Sequence, residues 1–207
     1  MARRTKEDAL ATRHSLLDAA ELLFQSQGVS RTSLNDIARL AGTSRGAIYW
    51  HFKDKSDLFN AMMERVTLPL EQAFDELGGK SLLDPLHHIR QVVFETLQQI
   101  ATDSRMRRVF EVATQKVEYI DELHAVTTRH LTVRSGFLSK VKNCLEQAAH
   151  THDLTLQIPA EMAANGLHAL VDGMIQNWLL DTSVFDLRHS GELVIDVYLK
   201  GLGFQID

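Results

Sequence analysis

The residues best suited to recognise another molecule lie in one short stretch, at Ser44, Arg45, Gly46, Tyr49 and His51. An arginine guanidinium can donate two parallel hydrogen bonds to the edge of a guanine base in the major groove of DNA. Serine and tyrosine hydroxyls, and the free N–H groups at the start of a helix, can donate to phosphate oxygens. A glycine inside a helix costs about 1 kcal/mol relative to alanine, so Gly46 suggests a close approach of the backbone to a ligand. The stretch therefore has the chemistry for contacts with double-stranded DNA.

Three predicted helices must position these residues. A first helix is predicted from Lys6 to Gln27, because its apolar residues recur at three and four positions. A second opens around Ser33, where Ser33 and Asp36 have the spacing of a capping box, and ends at Gly42. A third runs from Arg45 to Phe52. This pattern is typical of a helix-turn-helix unit, and a plain three-helix bundle would show it too.

The outward face of the third helix helps to separate these two alternatives. Ile48 and Phe52 lie four residues apart and can face the core together. Arg45, Tyr49 and Lys53 would then face outward, where an arginine, a tyrosine and the neighbouring glycine add little to stability. This face favours recognition of DNA over a purely structural bundle.

The rest of the chain is predicted to be helical as well, so the expected fold class is all-α. A fourth helix begins after Asp54 or Ser56 and runs to about Leu77, with a kink expected at Pro69. No strand-like alternation of any length is present. Further helices are predicted at 85–100, 105–119, 122–149, 159–180 and 187–202.

Charge is distributed unevenly along the 207 residues, whose net charge is −5. Residues 1–55 hold nine basic and six acidic side chains, whereas the remaining 152 hold 13 basic and 21 acidic ones. A basic amino-terminal region on an acidic body is typical of a nucleic-acid binder with a separate regulatory domain. The single cysteine, Cys144, fits a reducing compartment, and no apolar run is long enough for a membrane span. Acids follow the basic amino terminus where a signal peptide would be apolar, so we expect a cytoplasmic location.

Signals for enzymatic chemistry are weak. The histidines cluster only at His87-His88 and at His150-Thr151-His152-Asp153, with no third metal ligand close by in the sequence. Cys144 has no neighbouring acid or base, which favours a buried structural thiol. A glycine-rich phosphate loop and a nucleophile elbow are both missing from the sequence. We expect no enzyme, no cofactor and no metal.

Three motifs stand in order near the amino terminus: Thr32-Ser33-Leu34, the run AGTSRGAIYWHFKDK from Ala41 to Lys55, and Leu58-Phe59. Together they resemble the DNA-binding domain of the TetR family of bacterial repressors. The RGAIYWHFK run and the MARRTK start are most similar to the AcrR-like branch, which represses multidrug efflux pumps. The resemblance implies a helix-turn-helix DNA-binding domain over residues 1–54. It implies a larger helical domain for ligand binding and dimerisation over residues 55–207.

The resemblance also assigns roles to individual residues. Arg45 is implied to recognise a base, and Ser44, Tyr49 and His51 to contact phosphate or groove edges. Phosphate anchors are implied at Thr32, at Ser33 and at the main chain of Lys55. The complete predicted DNA-binding set is Thr32, Ser33, Thr43, Ser44, Arg45, Gly46, Tyr49, His51 and Lys55.

Two further features near the amino terminus carry expectations. Arg3, Arg4 and Lys6 either form a flexible arm on the DNA or a solvated terminus. Trp50 is expected to be part of the core or to support the helix rather than to act as a wedge between bases.

The last two helices are the candidates for self-association. The stretch from 163 to 180 mixes small residues with large apolar ones around most of its circumference, as in a helix buried on two sides. The family resemblance implies a four-helix bundle with the same helices of a second subunit, whereas a central core helix of a monomer would show the same pattern. A dimer would bind a nearly palindromic operator.

An effector site is predicted from residues scattered over several helices. Asp172, in an apolar helix, could attract a cationic drug, although a hydrogen bond between helices or a dimer contact would also explain it. The predicted ligand-binding residues are Phe110, Thr114, Val117, Phe137, Asp172, Gln176 and Trp178, each of which could equally be packing.

The sequence thus predicts a repressor of a multidrug efflux pump that is released from its operator by small hydrophobic or cationic drugs. Alternatives are a helix-turn-helix regulator of another operon that responds to a different metabolite, and a DNA-binding protein without a ligand. A helical protein whose amino-terminal region binds a partner protein is a third.

Overall fold

The computed structural model describes residues 6–78, 84–117 and 124–206, without the side chains of 73–78 and 124. Across these ranges it consists of α-helices and contains no strand, which confirms the all-α fold class. The helices are α1 Lys6–Gln27, α2 Leu34–Leu40, α3 Arg45–His51, α4 Lys55–Gly78, α5 Pro85–Thr102, α6 Ser104–Gln115, α7 His124–Thr151, α8 Ala160–Leu180 and α9 Leu187–Gly201.

Local signals set most of the helix ends. Ser33 and Asp36 form the expected capping box before α2, and Asp84 accepts a hydrogen bond from the His87 amide ahead of α5. Gly42 adopts a φ of +65° after α2, a backbone conformation that other residues rarely take. The predicted end of α6 was too late, since the helix stops at Gln115 and the predicted continuation to 119 runs into residues outside the described ranges.

Removing the cap of α2 is expected to destabilise the chain modestly. Ser33→Ala deletes the hydroxyl that accepts a hydrogen bond from the Asp36 amide, and loss of such a cap costs about 1 kcal/mol. Urea unfolding at fixed protein concentration measures the change. The exposed Ser26, whose hydroxyl only donates to the Leu23 carbonyl, provides a control, and Ser26→Ala is expected to change stability little. Equal unfolding midpoints for S33A and the wild type would contradict the prediction.

The capping box also predicts how this stability depends on pH. Hydrogen bonds from Ser33 hold the pKa of the Asp36 carboxyl below its usual value of 3.8. A lowered pKa in the folded state means that the stabilisation is present above the unfolded value and is lost as the pH falls through the folded one. The capping box is therefore intact at neutral pH.

Packing divides the chain into two compact units. Unit 1 comprises the described residues of 1–67 and 108–131. Its α1, α2 and α3 pack against one another, and the Phe24 and Phe59 rings lie 6.1 Å apart. The Val29 amide donates to the Lys116 carbonyl at 3.0 Å.

Unit 2 comprises the described residues of 68–107 and 132–207, and in it α9 packs against both α5 and α8. Arg90 of α5 makes two hydrogen bonds to Asp196 of α9, at 2.8 and 2.7 Å. The Tyr198 hydroxyl donates to the Ala163 carbonyl of α8 at 2.9 Å, and burial raises the pKa of Tyr198. Gly191 lies so close to Leu97 that a side chain there would collide with it. These contacts fix α9 in unit 2.

This division differs from the predicted boundary after residue 54. The first turns of α4 belong to unit 1 because Leu58, Phe59 and Met62 are buried in its core. Residues from Arg108 onward join α1 through polar contacts, including a hydrogen bond of 2.7 Å from Gln25 to Glu111. In the part of the chain that is described, no helix is long and apolar enough to cross a membrane.

Candidate DNA-binding site

The turn between α2 and α3 is held by backbone hydrogen bonds and by a buried apolar side. The Thr43 amide donates to the Ala38 carbonyl at 2.9 Å, and the Ser15 hydroxyl of α1 donates to the Ala41 carbonyl at 3.3 Å. Ile37 and Ile48 are completely buried on the inner side of the two helices. The angle between α2 and α3 is thereby fixed from within unit 1.

The outward face of α3 has the composition that the sequence predicted. Ile48 and Phe52 are buried, while Arg45, Tyr49 and Lys53 are exposed, which confirms the predicted orientation. A side chain at Gly46 would meet only the Ser44 hydroxyl, at 3.9 Å. Packing inside the protein therefore does not require a glycine there, and its absent side chain leaves the outer surface of α3 open.

Arg45 stands at the first position of α3. Its guanidinium carbon lies 5.6 Å from the centre of the Tyr49 ring. Among the described residues, no hydrogen bond or ion pair holds this guanidinium, so its donors are available to a ligand.

The two serines differ in how much of their hydroxyl is already used. Ser44 accepts a hydrogen bond from the Ala47 amide at 3.2 Å, which leaves its proton to donate. Ser33 accepts from the Asp36 amide and also donates to the Asp36 carboxylate at 2.6 Å. Ser44 is therefore the better phosphate donor of the two.

The Thr32 side chain needs correction as a DNA contact, whereas at Lys55 the predicted contact was with the main chain. Thr32 is buried, and its hydroxyl donates to the Gly28 carbonyl at 2.7 Å, so it does not reach the surface. Lys55 is buried too, and its ammonium lies 3.5 Å from the Ser30 carbonyl and 3.4 Å from that of Thr32. Both side chains hold the loop between α1 and α2. The main chain of Lys55, at the first turn of α4, is the part that remains for the predicted phosphate contact.

Trp50 was predicted to lie in the core or to support the helix, and the structure contradicts the first of these. Its side chain is 73% exposed, because Ile48 and Phe52 occupy the inward side of α3 and Trp50 falls between them in the sequence, on the other side of the helix. Its ring meets that of His51 edge to face, with centres 4.6 Å apart. Among the predicted arm residues, Arg3 and Arg4 lie outside the described residues.

Two protein-family models match this chain. Residues 16–62 match the model described as bacterial regulatory proteins of the tetR family, and residues 84–204 match the C-terminal region of MAATS-type transcriptional repressors. The chain belongs to the TetR family. The family consists of DNA-binding transcriptional regulators, which agrees with the helix-turn-helix geometry of α2 and α3.

Relatives in the TetR family are similar over nearly the whole chain. The transcriptional repressor BepR of Brucella suis is 36% identical over 97% of this chain and 96% of its own. The crystal structure of NalD, the secondary repressor of the MexAB-OprM multidrug efflux pump in Pseudomonas aeruginosa, superposes with a TM-score of 0.86. It is 34% identical and covers 95% of this chain and 98% of its own. SmeT in complex with triclosan gives a TM-score of 0.82 at 31% identity, over 92% and 90% of the two chains.

The predicted effector residues of this TetR-family chain fall in both units. Unit 1 contains Phe110, Thr114 and Val117, all half-buried, and the Thr114 hydroxyl donates to the Phe110 carbonyl at 2.8 Å. Unit 2 contains the other four predicted residues, which are Phe137, Asp172, Gln176 and Trp178.

The four residues in unit 2 make separate contacts. The Phe137 ring meets the His168 ring edge to face at 5.6 Å, and the Gln176 amide donates to the Asp172 carboxylate at 2.6 Å. Trp178 follows Asp172 by six residues, about one and two-thirds helical turns, so the two project from different sides of α8.

Arg107 lies beside a predicted effector residue, although it was not itself predicted to bind the effector. Its guanidinium carbon lies 5.0 Å from the centre of the buried Trp178 ring, and it donates to the Ala101 carbonyl. The adjacent Arg107-Arg108 pair is visible in the sequence, but spacing does not show which aromatic ring an arginine covers.

Two surface cavities of about 540 and 520 Å³ are also present in unit 2, and none of the seven predicted effector residues lines either of them.

Proposed function

We propose that this chain is a ligand-responsive repressor that binds a nearly palindromic operator as a homodimer and controls a multidrug efflux pump. The observation that carries the proposal is the outward face of α3, where Arg45 has donors available beside an open Gly46 surface. Core packing and helix stability explain neither residue. The chain's relatives BepR, NalD and SmeT are repressors, which supports the transcriptional role, and NalD and SmeT repress multidrug efflux pumps.

On the DNA, Arg45 would donate to a guanine edge in the major groove while the surrounding groups hold phosphates. Ser44, Tyr49 and His51 lie on or beside α3, and Ser33 and the main chain of Lys55 start the two neighbouring helices. Trp50 adds an exposed ring to the same helix. Phosphate contacts would give affinity and sensitivity to salt, and Arg45 would give sequence preference.

An apolar stripe supports a homodimer through α8 and α9. Leu187, Gly191, Ile195 and Leu199 turn inward from α9, whereas Leu193, Val194 and Val197 form an exposed apolar stripe on its other side. Met162 of α8 is exposed as well. A contiguous exposed apolar surface on a globular chain is typical of a protein interface.

A charge in this stripe is expected to prevent dimerisation. Val197 is 70% exposed in the single chain, so Val197→Asp would leave the fold intact but bury an unpaired carboxylate in the interface. Sedimentation should show a monomer for V197D and a dimer for the wild type. Leu22→Asp, at an exposed apolar residue of α1, is the matched control and should remain dimeric. A dimeric V197D would place the interface elsewhere.

The proposed effector is a small hydrophobic or cationic molecule, and Phe110, Thr114, Val117, Phe137, Asp172, Gln176 and Trp178 remain the proposed contacts. Arg107 already lies against the Trp178 ring, so a cationic ligand would have to displace it or bind at another residue. An effector can release DNA only to the extent that it binds the free conformation more tightly than the DNA-bound one.

Binding to the DNA upstream of the chain's own gene tests the proposal. Fluorescence polarisation would be measured at about 150 mM salt with excess random duplex, because phosphate contacts make affinities depend strongly on salt. Titrations with a cationic and with a neutral hydrophobic compound would follow. Competitor-resistant binding that either compound releases supports the proposal. Specific binding that no compound affects would favour a ligand-independent DNA-binding protein. Equal affinity for the upstream DNA and for random duplex would contradict specific binding of this DNA as an operator.

A further inference from the structure

Arg45 and Tyr49 form a pair on the exposed side of α3. They lie four residues apart, so one helical turn brings them onto the same face. The guanidinium carbon of Arg45 is 5.6 Å from the Tyr49 ring centre, within the range of a cation–π contact. Within the described residues the guanidinium has this cation–π contact and no hydrogen bond or ion pair.

Helix electrostatics do not explain the position of Arg45. The amino-terminal end of a helix carries partial positive charge, so it favours acids and not a guanidinium. Ser44 already caps α3 through its hydroxyl, without help from Arg45. The Tyr49 ring is therefore the group that offsets the unfavourable placement of the Arg45 cation. It also limits the directions in which the Arg45 side chain points.

The neighbouring residues do not crowd this pair. The absent side chain of Gly46 leaves the adjacent helical surface open, and the Trp50 ring stacks edge to face with His51 instead. A flexible arginine side chain loses conformational entropy when it binds a base, and a side chain that is already oriented loses less.

We propose that Tyr49 is a positioning residue that orients Arg45 for base recognition through the face of its ring. This inference rests on the proposed function, in which Arg45 contacts a base. It differs from the phosphate or groove contact predicted from the sequence, because a phosphate contact would need the hydroxyl and would be the same on every DNA sequence.

The ring and the hydroxyl are separated by two substitutions. Tyr49→Phe keeps the ring and removes the hydroxyl, whereas Tyr49→Leu removes the ring. The ratio of affinities for a specific and a random duplex should fall about threefold per half-site in Y49L, and it should stay within about twofold of wild type in Y49F. The specific duplex is the one that the wild-type chain selects from a random-sequence pool.

A double-mutant cycle with Arg45→Ala completes the test. If Tyr49 acts through Arg45, Y49L has no further effect on the affinity ratio in the R45A background. Equal losses in Y49F and Y49L, or an undiminished effect of Y49L in R45A, would overturn the inference. Failure of the proposed function would look different, because the wild type itself would then select no sequence and R45A would change nothing. Urea midpoints close to wild type for all variants would show that the losses are not due to unfolding.

Discussion

Glu21→Gln is expected to destabilise the chain by about 3 kcal/mol, near the lower end of the cost of breaking a buried ion pair. Glu21 is 1% exposed, and its two carboxylate oxygens face Arg65 at 3.2 Å and Arg108 at 3.6 Å. Glutamine has almost the same shape but no charge, so the two guanidiniums would lose their buried counter-charge. Arg65 and Arg108 keep some contact with water, which limits the cost.

Asp18→Asn is the matched control for this prediction. Asp18 contacts the same Arg65 at 2.8 Å, but its own side chain is 48% exposed. Water screens exposed pairs, so their loss costs about 1 kcal/mol or less. Urea unfolding of both variants at one protein concentration measures the difference. Similar unfolding free energies for E21Q and D18N would show that burial does not strengthen the Glu21 cluster.

Arg45→Ala is expected to abolish most of the preference for the operator. A bidentate arginine–guanine contact contributes about 1–3 kcal/mol of discrimination, which is roughly 5-fold to 150-fold per half-site. Stability should hardly change, because Arg45 is exposed, alanine is a good helix former and Ser44 still caps α3. Polarisation titrations with the specific and the random duplex measure the effect.

Lys53→Ala is the control that separates charge from sequence recognition. Lys53 is exposed beyond the other end of α3, and an ammonium there would act on phosphate only. K53A should weaken binding to both duplexes alike and lower the salt slope by about one, whereas R45A should mainly lower the affinity ratio. An unchanged ratio of specific to random affinity in R45A would show that Arg45 does not recognise a base.

Features set by neighbours in the sequence were predictable. The capping box of Ser33 and Asp36, the turn at Gly42 and the inward pair Ile48 and Phe52 all depend on spacing within a few residues. The spacing around Arg45 therefore predicted which residues of α3 face outward.

Features set by contacts between distant helices were not predictable. Thr32 and Lys55 are polar residues in a surface-like segment, yet both are buried because they satisfy carbonyls of one loop. The Glu21 cluster joins α1 to residues 44 and 87 positions later in the chain. The one local signal for it is that Glu21 is in helical register with the buried Leu17 and Phe24.

The effector residues remain a prediction for a related reason. A helical period shows which residues share a face, but not which partner covers each face. Asp172 was predicted to contact a drug, and in the structure it accepts a hydrogen bond from Gln176 of its own helix. Trp178 lies on another face of α8, against a cation that spacing could not assign to it.

The chain has two tryptophans, and they lie in opposite environments. Trp50 is exposed on α3 and Trp178 is buried in unit 2 beside Arg107. An exposed indole emits at longer wavelengths than a buried one, and its emission changes when a nucleic acid covers it. Unlabelled protein should therefore report operator binding through the red side of its emission and any disturbance around Trp178 through the blue side. With Trp50→Phe and Trp178→Phe, each event could be timed separately by stopped flow, which would show whether the surroundings of Trp178 change before the DNA is released.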